Sequence, residues 1–233
     1  MKLLAASNAR MYGQACVPAH DTNRMKILVA SNNAHKQQEL REIFDAIGAP
    51  VELIDPRSAG IAIEPDESAG TYEGNALLKA RAFADALRNS PLAAAHGRLP
   101  WVIADDSGLE VDALNGAPGI YSSRYHKRAP DGDGCAALLK ELQDTPDERR
   151  TARFQCAIVL IDPAGGAHTF FGACEGRIAR EKRGAGGFGF DPVFILAEDT
   201  RTMAELSPQE KHRVSHRGIA ARRSVACLAE HEA

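Results

Sequence analysis

The stretch Trp101–Leu109 (WVIADDSGL) constrains this chain more than any other. Trp101, Val102, Ile103 and Ala104 are an unbroken apolar run, which predicts a buried strand of the α/β kind, whose functional groups collect where the strand ends. At that end stand Asp105, Asp106, Ser107 and Gly108: two carboxylates, a hydroxyl and a residue free to turn sharply. Such a set suits Mg²⁺ beside a phosphate. It also suits an ordinary solvated turn, so the rest of the chain has to decide. Beyond Ser107, the alternation of Leu109, Val111 and Ala113 predicts a separate, half-buried strand.

A second apolar run, Lys26–Ala30 (KILVA), predicts another strand, and Leu40, Ile43, Phe44 and Ile47 then form the stripe of an amphipathic helix closed by Gly48. Between them lies Ser31-Asn32-Asn33-Ala34-His35-Lys36. A strand, a polar turn and a helix N-terminus make an anion site, to which Lys36 adds a mobile charge; plain capping by Asn33 is the other reading. Val51–Ile54 predicts a strand. After the acidic pair Asp66 and Glu67, Thr71 opens a helix to about Arg88. Lys79 stands on an otherwise apolar stripe of that helix with Asn75 one turn before it, either to snorkel to solvent or to face a phosphate.

Residues 89–100 read as a surface excursion. Residues 152–162 and 167–174 read as strands joined by a Pro-Ala-Gly-Gly hairpin turn. In the glycine-dense run around Phe188-Gly189-Phe190-Asp191, the rings either stack on a base or anchor the core. Ser207-Pro208-Gln209-Glu210 is a capping box with proline at the first helical position. The helix it starts brings Lys211, then His216 and Arg217, a local cationic patch.

Composition excludes several classes. Lys and Arg number 28 against 31 Asp and Glu, a net charge of -3, so no bulk basic field recruits nucleic acid or an anionic membrane. No apolar run approaches the roughly 18–20 residues that span a bilayer. Five cysteines without a CxxC pair argue against a disulfide framework and for the cytoplasm. Eight histidines without HxH or HExxH spacing argue against zinc. Residues 1–24 read as a flexible extension the fold does not need, with Met25 directly before the first strand and 25–233 forming one domain.

Taken in order, SNNxxK, an acidic pair before TYxxNAxxKA, ADDSGLxVxAL, GAPGIYSSRY, GGFGFDPVF and SHRG make a set that resembles the inosine triphosphate pyrophosphatase family, from Lys26 to about residue 225. The resemblance implies an elongated, two-lobed α/β fold with a mixed central sheet flanked by helices, a homodimer, and Mg²⁺-dependent hydrolysis of non-standard purine nucleoside triphosphates (dITP, ITP, XTP) to the monophosphate and pyrophosphate. It implies Asp106 as proton acceptor and metal ligand, with Asp66 or Glu67 completing the metal site. Ser31, Asn32, Asn33, Ala34, His35 and Lys36 match the triphosphate loop, and Ser107 a substrate contact. Phe188, Gly189, Phe190 and Asp191 match the base pocket; Lys211, His216 and Arg217 match further nucleotide contacts, and Asn75 and Lys79 the polar positions of the long helix. Two positions depart from the family pattern: His35 replaces a common glycine and Gly74 a frequent glutamate. Arg217, having donors only, suits a 6-oxo purine rather than adenine. The competing readings are a pyrophosphatase for other modified or standard nucleotides, and a non-catalytic nucleotide-binding module.

Overall fold

The computed structural model describes residues 24–95, 99–128 and 132–231. The expected N-terminal extension lies outside them except for Arg24.

The two apolar runs form strands, with a helix between β1 and its neighbour. β1 (Met25–Val29) leads into α1 (Ala34–Ile47), which buries Leu40, Ile43 and Phe44 and ends at Gly48 with φ +70°, where a side chain would be strained. β2 (Val51–Ile54) then pairs parallel to β1. α2 (Tyr72–Arg88) starts at its Thr71 cap, and the predicted surface excursion begins with a short helix, α3 (Pro91–Ala95).

β3 departs from expectation. It runs unbroken from Trp101 to Val111, through Asp105–Gly108, where a turn between two strands was predicted. β4 (Thr151–Ile161) pairs with it antiparallel along ten positions, setting Asp105 against Ile158 and Asp106 against Ala157. The ladder to β4 holds these four turn-prone residues extended, and this tertiary pairing overrides their local preference. β5 (Ala167–Ile178) returns along β4 from the predicted hairpin turn, and β6 (Phe194–Leu196) edges the sheet. The strand order is β2-β1-β3-β4-β5-β6, parallel around β1 and antiparallel beyond β3.

α4 (Gly134–Glu141) is capped by Asp133, and α5 (Pro208–Val214) by the predicted box of Ser207 and Glu210. α6 (His216–Glu230) follows directly. Side-chain alternation along β3 divides the core between faces. Trp101 and Ile103 pack with α1 and α6, whereas Val102 and Ala104 pack with Ala76, Ala80 and Phe83 of α2. Fully burying a side chain such as Phe83 contributes about 1.5–3 kcal/mol. A third cluster, built on Leu109, Val111, Phe154, Phe190 and Phe194, forms the other lobe on the far stretches of β3, β4 and β5. Asp105–Gly108 fall between the lobes.

Candidate active site

A cleft of about 910 Å³ opens between the lobes, with Asp106, Ser107 and Gly108 on its wall. Alternation sends Asp105 and Asp106 to opposite faces of the sheet, so the pair does not act as one ligand set. This corrects the reading in which both carboxylates serve one metal.

On the α2 face, Lys79 Nζ donates to Asp106 Oδ1 at 2.8 Å and to Glu67 Oε1 at 3.2 Å, and Asn75 Nδ2 donates to Asp106 Oδ2 at 3.3 Å. Asn75 and Lys79 reach the same carboxylate because they lie one turn apart. Lys79 is buried rather than snorkelled. Burial disfavours its ammonium, but Asp106 and Asp105 outweigh that and raise its pKa above the ordinary lysine value. Arg124 closes the cluster by donating to Glu67 Oε2 at 3.2 Å. Asp66 lies exposed on the same cleft.

On the opposite face Asp105 is enclosed. Lys36 Nζ approaches at 3.1 Å, and Arg217 donates from Nε at 3.1 Å and Nη2 at 2.9 Å. Burial opposes ionisation, yet Lys36 and Arg217 hold this carboxyl far below the usual carboxylate range. Arg217 also donates to Ser107 Oγ at 2.9 Å and to Glu39 Oε2. A guanidinium expected to face a nucleotide base therefore spends most of its fork tying β3, α1 and α6 together, while still lining the cleft. Lys211 Nζ bridges Asp191 at 2.7 Å and Glu39 at 3.0 Å. Burial raises the Asp191 pKa in spite of Lys211.

His216 is buried and stacked on Phe154, 4.7 Å between centroids and 11° between planes. Burial, then the neighbouring Arg217, push its pKa down to about 3, so the imidazole is neutral. The two phenylalanines of the glycine-dense run separate. Phe190 is a core anchor, edge-on to Tyr125 at 5.8 Å. Phe188 is half-buried on the cleft wall, stacked with His35 at 5.6 Å and covered by Lys211 Nζ at 5.0 Å. Its backbone N–H donates to Asp191 Oδ2 at 2.7 Å, an approach open only because residue 187 is glycine: a Cβ there would lie 2.0 Å from that oxygen.

In the first loop, Asn33 Oδ1 accepts from the N–H groups of His35 (2.9 Å) and Lys36 (3.2 Å), the predicted capping alternative. Asn32 Nδ2 donates to Ile63 O at 2.8 Å and to Glu64 Oε1 at 3.1 Å. Ser31, Asn32, Asn33 and Lys36 line the cleft; Ala34 begins α1, and Asn75 sits behind Asp106. The residue missed in the sequence is Glu39, 5 % exposed and bonded to both Lys211 and Arg217. Its one local signal is an acid beside Leu40 on the buried edge of the α1 stripe.

A mixed sheet whose buried lysines and carboxylates converge on a nucleotide-sized cleft defines an α/β protein built to handle phosphate ligands. The family follows from comparison with known proteins. Residues 27–227 match the model of the Ham1 family, and the chain belongs to that family. It is 46% identical over 203 residues to the dITP/XTP pyrophosphatase of Thioalkalivibrio sulfidiphilus, covering 85% of this chain and 95% of that protein. Among solved structures, a HAM1 protein from Coxiella burnetii superposes with TM-score 0.72 at 36% identity, covering 88% of this chain and 99% of that one. A nucleoside-triphosphatase / dITP/XTP pyrophosphatase from Mycobacterium abscessus gives TM-score 0.62 at 42% identity, covering 88% and 97%.

Proposed function

We propose that this chain hydrolyses dITP, ITP and XTP to the monophosphate and pyrophosphate in the cleft between its lobes. The observation that carries the reading is Asp106, a cleft-wall carboxylate fixed by Lys79 and Asn75, with Lys36 and Lys211 lining the same cleft. Attack of water on the α-phosphorus needs a base for the water's proton and cations for the phosphates. Asp106 is the base. Lys36, Lys79 and Lys211 share the phosphate charge.

Mg²⁺ fits the donor set. Asp106 and Glu67 converge on one ammonium, Lys79 Nζ, so two hard oxygen donors already reach a common point where a cation is favoured. Asp106, Glu67 and the exposed Asp66 would hold the ion, leaving its remaining positions to water and substrate phosphates. When bound, Mg²⁺ supplies charge neutralisation and polarises a phosphoryl oxygen.

Base selection follows from hydrogen-bond polarity. Phe188 and His35 offer a stacking surface, and beside it Lys211 and Arg217 present only donors, the Asp191 carboxylate being engaged by Lys211 and by the Phe188 N–H. A 6-oxo purine presents an acceptor there and adenine a donor, and an unsatisfied buried group costs about 1–3 kcal/mol.

The reading extends to one two-lobed domain over residues 25–233, with 1–24 as an extension, since one sheet carries both lobes and the family match begins at residue 27. It also extends to a homodimer, which rests on the resemblance to the inosine triphosphate pyrophosphatase family and which sedimentation equilibrium would test. Free thiols at Cys135, Cys156, Cys174 and Cys227 support the cytoplasm.

The deciding experiment measures turnover of dITP, XTP, GTP, ATP and dUTP with and without Mg²⁺, detecting pyrophosphate and orthophosphate separately. The expected result is pyrophosphate from dITP and XTP only with metal. Orthophosphate would move the attack to the terminal phosphate and overturn the reading, as would tight binding without turnover.

A further inference from the structure

We propose that Asp162, His168 and His231 form a second site, for a divalent transition metal of the Zn²⁺ class, at the end of the sheet away from the cleft. One ligating atom from each residue lies within 4.8 Å of the other two. The carboxylate comes from the residue after β4, one imidazole from the start of β5 and the other from the residue after α6. Asp162 lies five positions along the strand from Ala157, the partner of Asp106, which is roughly 17 Å at 3.4 Å per residue.

The local wiring prepares these groups to ligate. Asp162 Oδ1 accepts from the N–H groups of Ala164 at 2.7 Å and Gly166 at 3.0 Å, fixing the carboxylate, while Oδ2 faces His168 Nε2 at 3.2 Å. Residue 166 has to be small, since a Cβ there would lie 2.5 Å from Oδ2. His231 Nδ1 is 2.8 Å from the Cys227 carbonyl, so Nδ1 carries the proton and Nε2 keeps its lone pair, as in imidazoles oriented for metal binding. The two imidazoles meet edge-on at 5.3 Å. One carboxylate and two imidazoles suit Zn²⁺, Co²⁺ or Ni²⁺, whereas Mg²⁺ favours an all-oxygen shell. His positions 168 and 231 are far apart in sequence, which is why spacing motifs miss the site.

A bound ion would tie the end of α6 to the β4–β5 turn, and α6 begins with His216 and Arg217 of the cleft. Trp101, the one tryptophan of the chain, lies against both imidazoles, at 5.8 Å from His168 and 5.1 Å from His231. Its emission is therefore a local reporter.

The test titrates the full chain, stripped with chelator, with Ni²⁺ while following Trp101 fluorescence, and then adds Zn²⁺. The expected result is saturable quenching at one ion per chain, reversed by Zn²⁺, and a melting temperature raised by Zn²⁺. H231Q and H168Q should each weaken Ni²⁺ binding by about tenfold or more. H231Q alters an exposed residue past the last helix, so it keeps the fold even where H168Q does not. No saturable quenching, or quenching and Zn²⁺ stabilisation unchanged in H231Q, would overturn the site; the latter includes an ion held only by the cleft carboxylates.

Discussion

Asp106 combines burial on a cleft wall with two fixed donors, and its role rests on charge rather than on packing. Asp106→Asn retains shape and the Lys79 contact, so its melting temperature should stay near that of the parent while turnover of dITP falls by about 10²–10⁴-fold. Near-parental turnover would remove Asp106 as base. His216 makes a different prediction. Its pKa is depressed from the ordinary 6.5 to about 3 by burial and by Arg217, so the folded state refuses a proton that the unfolded chain accepts. Its contribution is present above pH 6.5 and is lost as pH falls toward 3. Glu39 acts in the same direction lower down: burial opposes it, but Arg217 and Lys211 hold it at about 2, so its contribution is lost from about pH 4.5 downward. The urea midpoint should therefore decline as pH drops from 7 to 5, and H216N should show a smaller decline. An equal slope in both proteins would mean that His216 titrates normally.

Elements place these residues by close backbone approach. A Cβ on Gly172 of β5 would lie 2.1 Å from His216 O and 2.7 Å from Ala220 N, both backbone atoms of α6. Gly172→Ala must push the start of α6 off the sheet. We expect a loss of about 1–3 kcal/mol by urea denaturation, and a raised KM for dITP because Arg217 and His216 move with the helix. Unchanged KM at reduced stability would separate this packing from substrate binding. The same elements show what a sequence can and cannot carry. KILVA with the Leu40, Ile43, Phe44 stripe was legible because period alone specifies a buried strand and its helix, and the Ser207 and Glu210 box because capping is local. β3 was not, because Asp105–Gly108 favour a turn locally and extend only when β4 pairs with them. Glu39 was hidden for a related reason: its partner Arg217 lies 178 positions away. Phe188 and Phe190 are equivalent in composition, and only the fold sends one to the cleft and the other to the core.

At the scale of the whole molecule, both lobes hang on the same three strands. β3, β4 and β5 each contribute to clusters on either side of the cleft, so neither lobe has a sheet of its own. Unfolding should accordingly be a single transition. Trp101 fluorescence reports the lobe of α1 and α6, and alkylation of the buried Cys174 thiol, resolved by mass spectrometry, reports the other. Their urea midpoints should coincide; separated midpoints would show lobes that open independently.

The alternation that divides Asp105 from Asp106 makes the register of β3 itself a determinant of chemistry. One residue type serves side by side as a counter-ion locked beneath Lys36 and Arg217 and as a cleft-wall carboxylate held by Lys79. Nothing in either side chain decides which is which. A single-residue insertion between Trp101 and Ala104 that left the start of the strand paired as it is would move each acid on by one position, bringing Asp105 to the cleft-wall place of Asp106 and Asp106 to the place of Ser107, beside Arg217. The two aspartates are thus interchangeable as chemistry and distinguished only by parity, a property counted from the start of the strand.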